Sequence, residues 1–163
     1  IVERDADLIP VVEPVVRAAA AHYQVPLEII TSDITETLEA TDGGDYDTIF
    51  LDTWETLDPV NLPAINALRD RAISRLRPDG TVLLWGYRWM LRLFQQACEQ
   101  LLALSPIERR NMLDAARRER PAVGTLLGPV AAYLDSHDDP NHDEAVAWYM
   151  NYILRARLED TPG

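Results

Sequence analysis

Three acidic residues in the first part of the chain each follow a short apolar run. Glu3 follows Ile1-Val2, Asp33 comes soon after the run at 27–30, and Asp52 ends the run that begins at Tyr46. A carboxylate accepts two hydroxyl hydrogen bonds from a diol, accepts from an amine, and stabilises a nearby cation by its charge. These residues are therefore candidate acceptors for a polar small molecule, and Asp52 is also a candidate general base.

The apolar runs are predicted to be strands, and helical patterns separate them. The predicted strands cover 1–2, 27–30, 46–52 and 81–85, the helices 8–21, 34–40 and 61–76, and the turns 42–45 and 77–80. We expect Asp7 to cap the first helix and Pro14 to kink it or delay its start. Such an alternation indicates an α/β protein with a parallel sheet covered by helices, in which ligands bind beyond the carboxyl ends of the strands.

From Trp89 onward the pattern is helical. Ser105 is predicted to cap a helix that opens at Pro106, Pro121 and Gly124 to interrupt the pattern, and residues 143–158 to form a last helix. We therefore expect two parts. Residues 1–88 form the α/β core, and residues 89–163 form a helical extension that packs on the core or provides a surface for a homo-oligomer.

Composition narrows the classes of partner. The 163 residues carry a formal net charge of −12, which argues against a nucleic-acid partner because little would neutralise a phosphate backbone. No apolar run reaches the length of a membrane span, so we expect no membrane partner. The single cysteine, Cys98, lies in an apolar helical run and is predicted to be a small core residue. One thiol cannot form an internal disulfide, and the expected location is the cytoplasm.

Over residues 1–88 the order of elements, with acids at the strand ends and Arg77-Pro78-Asp79-Gly80 before the last strand, resembles class I S-adenosylmethionine-dependent methyltransferases. The resemblance begins at the second strand of that family. It implies a Rossmann-like three-layer sandwich with a mostly parallel sheet, and S-adenosylmethionine as the cofactor.

The resemblance also implies roles for particular residues. Glu3 matches the acid that binds the ribose hydroxyls, and Asp33 matches the acid near the adenine amine. Asp52 matches the acid near the methionine part and the substrate, and it is the expected catalytic residue. Arg4 and Ile34, which follow two of these acids, are included in the expected cofactor-binding set.

The family's first strand and its glycine-rich loop have no counterpart in this sequence. In the family that strand lies between the second and the fourth strand, so a sheet without it would have unpaired edges. We expect the strand to come from residues upstream of Ile1 or from pairing with another copy of the chain. The helical residues after 88 stand where the family has an antiparallel hairpin.

Aromatic residues near two of the strand ends are candidate substrate contacts. Trp54 follows Asp52, and Trp85 and Tyr87 follow the last strand, where aromatic walls would suit an apolar or planar substrate. Packing against the helical extension is the competing explanation for Trp85 and Tyr87. Arg88 in the same turn could bind a substrate carboxylate.

No metal site is predicted. The segment 50–54 is similar to that of catechol O-methyltransferases, which use magnesium, but Trp85-Gly86-Tyr87 offers no hard oxygen ligand from its side chains. The loop 135–143 is rich in His and Asp and is expected to be solvated. An arginine-rich helix is expected to present a salt-bridged, solvated face; its arginines are Arg109, Arg110, Arg117, Arg118 and Arg120.

Three functions remain open at this point. The first is methyl transfer from S-adenosylmethionine to a small molecule or a protein. The second is an inactive scaffold or interaction protein with a methyltransferase-like core. The third is a spermidine-synthase-like aminopropyltransferase, in which Asp52 would serve as the base. The identity of the methyl acceptor does not follow from the sequence.

Overall fold

The structure is a computed structural model that describes residues 1–40 and 46–137, together with Glu144 and Trp148. The described chain is α/β and mainly helical. Its elements are β1 (Val2–Glu3), α1 (Ile9–Tyr23), β2 (Ile30–Thr31), α2 (Ile34–Ala40), β3 (Tyr46–Leu51), a 3-10 turn (Pro59–Asn61), α3 (Leu62–Ile73), β4 (Leu76–Leu84), α4 (Tyr87–Ala103), α5 (Pro106–Glu119) and α6 (Pro121–Asp135). The predicted turn at 42–45 and the predicted last helix lie outside the described residues, apart from Glu144 and Trp148, which are helical.

The described strands form two separate pairs. β1 runs parallel to β2, with Val2 opposite Ile30 and Glu3 opposite Thr31. β3 pairs with β4, and their pairing begins where Tyr46 N donates to Arg75 O at 3.3 Å. It ends where Trp85 N donates to Leu51 O at 3.0 Å. Residue numbers increase in the same direction along both strands between these two bonds. This pair is therefore also parallel, as the sequence predicts.

β4 begins earlier than predicted, because the predicted turn at 77–80 lies inside it. β4 has nine residues against the six of β3, so it accommodates extra residues between its paired ends. Asp79 has a φ of 68°, the left-handed conformation expected where a strand bulges. The preceding helix ends at Ile73 and not at Leu76, since Ser74 Oγ donates to Arg71 O and the chain leaves the helix there.

The described chain divides into two compact units. The first comprises residues 1–47 and 71–81. In this unit α2 packs against β1 and buries Leu38. α1 buries none of its residues and exposes the apolar side chains Val11, Val12 and Val15, and Leu8 just before it is exposed as well. The predicted Asp7 cap is wrong, because Leu8 stands at the cap position and the Asp7 backbone N–H donates instead to Asp5 Oδ1 at 2.9 Å.

The second unit comprises residues 48–70 and 82–163, and its core is helical. One face of α4 is fully buried, at the spacing of an amphipathic helix; its members are Met90, Phe94, Cys98 and Leu101. They pack with Leu62 and Ile65 of α3 and with apolar residues of α5 and α6. Cys98 is 0% exposed, which confirms it as a core residue, and this burial raises the pKa of its thiol to about 12.

Gly124 lies inside α6 and does not interrupt it, contrary to the prediction. A Cβ at this position would come within 2.6 Å of Arg117 Cγ and 3.1 Å of the Arg117 backbone on α5. The glycine therefore permits the close approach of α5 and α6. The packing gained offsets the free-energy cost of placing glycine inside a helix. No helix among the described residues is both long and apolar enough to span a membrane.

The β3–β4 pair has one buried and one exposed face within the second unit. Ile49 and Leu51 are buried, whereas Phe50 between them is 59% exposed. On β4 and just beyond it, Leu83 and Trp85 are exposed as well. The alternation follows from the two-residue period of a strand, and it leaves apolar side chains on the second face.

Arg109 joins the end of α4 to α5 and α6. Its side chain is buried; Nε donates to Asp135 Oδ1 at 2.9 Å and Nη1 to Leu104 O at 2.7 Å. The prediction of a solvated arginine face is wrong for this residue, while Arg117 and Arg120 do form surface ion pairs.

The predicted Ser105 cap of α5 is confirmed, and hydrogen bonds from Ser105 lower the pKa of Glu108 in the reciprocal capping box.

Replacing Arg109 by Met should lower the free energy of unfolding by about 2–4 kcal/mol, because the carbonyls at the end of α4 and the Asp135 carboxylate lose a buried partner. Urea denaturation followed by circular dichroism measures this change. Arg110→Met is the matched control, since Arg110 is exposed in the same helix. Equal effects of the two substitutions would contradict the role given to Arg109.

Candidate functional site

The acids predicted at the first two strand ends lie at one edge of the β1–β2 pair. The parallel register sets Glu3 beside Thr31, and Ser32 N donates to Glu3 O at 3.1 Å just beyond the strands. Glu3 Oε1 accepts a hydrogen bond from Asp5 N at 2.8 Å. Asp33 Oδ1 accepts one from Thr35 N at 2.7 Å, at the start of α2. Both carboxylates therefore stand at the carboxyl edge of this pair.

Arg4 and Ile34 belong to the same edge. Hydrogen bonds from Thr35 lower the pKa of the Asp33 carboxyl, and the positive charge of Arg4 lowers it further. Arg4 is thus close enough to act on Asp33 electrostatically, and Ile34 opens α2 directly after it. The structure brings together the four residues predicted from the first two strands. Both carboxylates already accept backbone hydrogen bonds, which fixes their orientation.

The remaining predicted residues follow β3 and β4 in the second unit. Asp52 is the first residue after β3, and the bond from Trp85 N to Leu51 O closes the pair at this end. Of the predicted residues at this edge, Asp52, Trp85 and Arg88 are exposed. Trp54 and Tyr87 are half-buried and pack against the helical core. Core packing therefore accounts for part of the burial of Trp54 and Tyr87, while Trp85 and Arg88 face solvent.

Gly86 forms the turn that directs the chain from β4 into α4. Its φ of 64° lies in the left-handed region that favours glycine, and it occupies the cap position of α4. An added Cβ would overlap Leu57 Cδ2. The turn sets where Tyr87, the first residue of α4, enters the edge beyond the strands.

Tyr87 is held by residues that the sequence interpretation did not single out. Its hydroxyl donates to Asn66 Oδ1 at 2.5 Å, and Asn66 is only 1% exposed. The guanidinium carbon of Arg69 lies 5.7 Å from the centre of the Tyr87 ring. Burial raises the pKa of the Tyr87 hydroxyl. The available signal was Asn66 itself, a polar residue four positions after Leu62 and next to Ile65 on a helix with an apolar face.

Two buried donors in this region have no acceptor among the residues that the structure describes. They are the indole Nε1 of Trp54 and the Nε of Arg69. Arg69 Nε lies 3.8 Å from Asp70 Oδ1, which is longer than a hydrogen bond. Burial raises the pKa of Asp70, while the charge of Arg69 partly offsets that effect.

A metal centre is not found in the described part of the chain, where no three His, Cys, Asp or Glu side chains come together as ligands. In the His- and Asp-rich loop, Asp135 pairs with Arg109, and His137 Nδ1 lies 2.8 Å from Tyr133 O. The other residues of that predicted loop, at 138–143, lie outside the described residues.

The chain was compared with known proteins by sequence and by structure. No family model matches it, and neither the curated proteins nor the solved structures contain a significant match.

Asp33→Ala should destabilise the protein at pH 7 and have a smaller effect in acid. The folded-state pKa of Asp33 is lowered, so its contribution is present above the unfolded-state pKa and is lost as the pH falls through the folded-state pKa. Urea midpoints at pH 7 and pH 3 measure this difference. Exposed Glu28 provides the control, and an effect of Glu28→Ala equal to that of Asp33→Ala would refute the assignment.

Gly86→Ala should reduce stability by about 1–3 kcal/mol, because alanine is strained at this φ and its Cβ meets Leu57. Gly128→Ala on α6 is the matched control. A Cβ there meets only Arg117 Nη2 at 3.6 Å, so it should be neutral or stabilising by up to about 1 kcal/mol. Thermal unfolding of both variants tests the turn, and a tolerated Gly86→Ala would show that it is not required.

Proposed function

We propose that this protein is an S-adenosylmethionine-dependent methyltransferase with a Rossmann-like three-layer fold, acting on a small molecule or a protein. The observation that carries the proposal is the edge of the β1–β2 pair, where Glu3, Arg4, Asp33 and Ile34 lie together at adjacent parallel strand ends. These are the residues that the family resemblance assigns to the cofactor.

The strand pairing supports the same fold. In the family, the first strand stands between the second and the fourth, so without it the second would pair with the third and the fourth with the fifth. The parallel pairs β1–β2 and β3–β4 correspond to these two pairings.

The carboxylates at this edge have the chemistry that the cofactor's nucleoside requires. Glu3 uses Oε1 for Asp5 N, and a ribose hydroxyl would donate to its second oxygen. Asp33, kept ionised by the Thr35 hydrogen bonds that lower its pKa, would accept from the adenine amine. The cofactor, when bound, supplies an electrophilic methyl group on a sulfonium.

Asp52 is the proposed catalytic residue. It is exposed directly beyond β3, where its carboxylate can accept a proton from a hydroxyl or amine of the methyl acceptor and orient that nucleophile. Trp54, Trp85, Tyr87 and Arg88 follow the strands of the same pair and would contact the acceptor. Most of the rate gain in such a displacement comes from positioning the two reactants.

An inactive interaction protein is the second candidate function. The observation that favours it is the exposed apolar face of β3–β4, formed by Phe50, Leu83 and Trp85. Apolar side chains gathered on one sheet face are typical of a surface that another chain covers.

Calorimetric titration of S-adenosylhomocysteine into the natural protein tests the proposal. We expect micromolar binding that Glu3→Ala weakens by about tenfold or more, since the ribose loses its acceptor. Glu28→Ala is an exposed acidic control and should leave binding unchanged. No binding to the folded protein would refute the methyltransferase proposal and favour the interaction protein. Tighter binding of decarboxylated S-adenosylmethionine would indicate an aminopropyltransferase.

A further inference from the structure

We propose that Arg69 is a binding site for a carboxylate at the carboxyl edge of β3–β4, and that the methyl acceptor carries this carboxylate on a planar, apolar body. The assignment of the ligand as methyl acceptor rests on the proposed function, whereas the binding of a carboxylate at Arg69 does not. The proposed methyl transfer assigns no role to Arg69 or to the other residues of α3.

Arg69 is held in place before any ligand binds. Its guanidinium lies over the Tyr87 ring at 5.7 Å, and the Tyr87 hydroxyl is fixed by Asn66 Oδ1 at 2.5 Å. Asn66 is only 1% exposed, so the last member of this chain is anchored in the core. A side chain that is already ordered loses little entropy on binding, which favours its use in recognition. Tyr87 and Asn66 are thus positioning residues for Arg69.

Asp70, the ion-pair partner of Arg69, does not accept a hydrogen bond from Arg69 Nε. Asp70 is the adjacent residue in α3, and adjacent residues on a helix do not face each other. The closest approach is accordingly 3.8 Å, from Arg69 Nε to Asp70 Oδ1, and Nε has no hydrogen-bond partner in the described chain. A guanidinium offers parallel donors that match the two oxygens of a carboxylate. A ligand carboxylate supplies the geometry that Asp70 cannot.

Access to Arg69 depends on Asp70. The Arg69 side chain is 18% exposed and that of Asp70 is 24% exposed, so parts of both reach the surface, while Arg69 Nε itself is buried. A ligand carboxylate would displace the Asp70 side chain from Nε towards solvent. Desolvation already raises the pKa of Asp70 and thus disfavours its charged form where it stands.

The surroundings indicate the rest of the ligand. Tyr87 begins α4 two residues after Trp85, whose N–H makes the last β3–β4 bond, and Asp52 follows β3 at the same end of the pair. Trp54, two residues after Asp52, is half-buried with an indole N–H that has no acceptor in the described chain. An aromatic ring against one cation suits a flat apolar body with a single acid group.

Benzoate is the probe, and benzamide is its uncharged counterpart of the same shape. Titration into ¹⁵N-labelled protein, without any cofactor, should shift the Arg69 Nε–H signal saturably. That signal is identified by its loss in Arg69→Lys. Benzamide should bind at least about tenfold more weakly, since it lacks the charge that pairs with the guanidinium.

Arg69→Gln should weaken benzoate binding by about tenfold or more, and Tyr87→Phe should weaken it less, because the ring stays while its tether to Asn66 is lost. Arg71→Gln is the matched control, since Arg71 lies in the same helix, is exposed and pairs with Glu39 at 3.5 Å. The Tyr87→Phe spectrum also shows whether the fold is intact when Arg69 is less ordered.

Equal shifts with benzoate and benzamide, or equal losses in Arg69→Gln and Arg71→Gln, would overturn the carboxylate site. The outcome is separable from the methyltransferase proposal. Benzoate binding at Arg69 in a protein that does not bind S-adenosylhomocysteine would support the carboxylate site and refute the methyltransferase proposal. Binding of S-adenosylhomocysteine without benzoate binding at Arg69 would refute the carboxylate site alone.

Discussion

Burial of one face of α4 is the constraint on which the second unit depends. Met90, Phe94, Cys98 and Leu101 are at most 1% exposed, and helices α3, α5 and α6 contribute to the core around them. A helix packed this closely tolerates little rotation, because each buried side chain fills a defined space. The direction of α4 therefore fixes where its first turn, and hence Tyr87, stands beyond the strands.

The chemistry at the two strand edges follows from how each edge is built. In the first unit, short backbone hydrogen bonds orient the carboxylates of Glu3 and Asp33 with little support from a core. In the second unit, Tyr87 and Arg69 are ordered by contact with a buried residue, Asn66. The first edge carries the half-buried acceptors Glu3 and Asp33, and the second carries the partly buried donors of Tyr87 and Arg69.

The sequence predicted those features that depend on local periodicity. The bounds of α2, the start of α5 at its Ser105 cap and the parallel pairing all agree with the structure. Arg69 and Asn66 were missed because their roles arise from contact with Tyr87, far along the chain. The start of β4 was missed because Pro78-Asp79-Gly80 has the composition of a turn, although paired ends hold these residues inside a strand. At these residues the pairing of β4 with β3 outweighs the local preference for a turn.

The Arg109 guanidinium has a consequence for how the helical part opens. It serves the last carbonyls of α4 and the Asp135 carboxylate of α6 from its own position on α5. Departure of α5 would take this partner from both α4 and α6, and departure of α4 or α6 would leave the buried guanidinium without part of its acceptors. Their amide protons should therefore exchange with solvent together, as a single cooperative unit, and more slowly than those of α1, which buries none of its side chains.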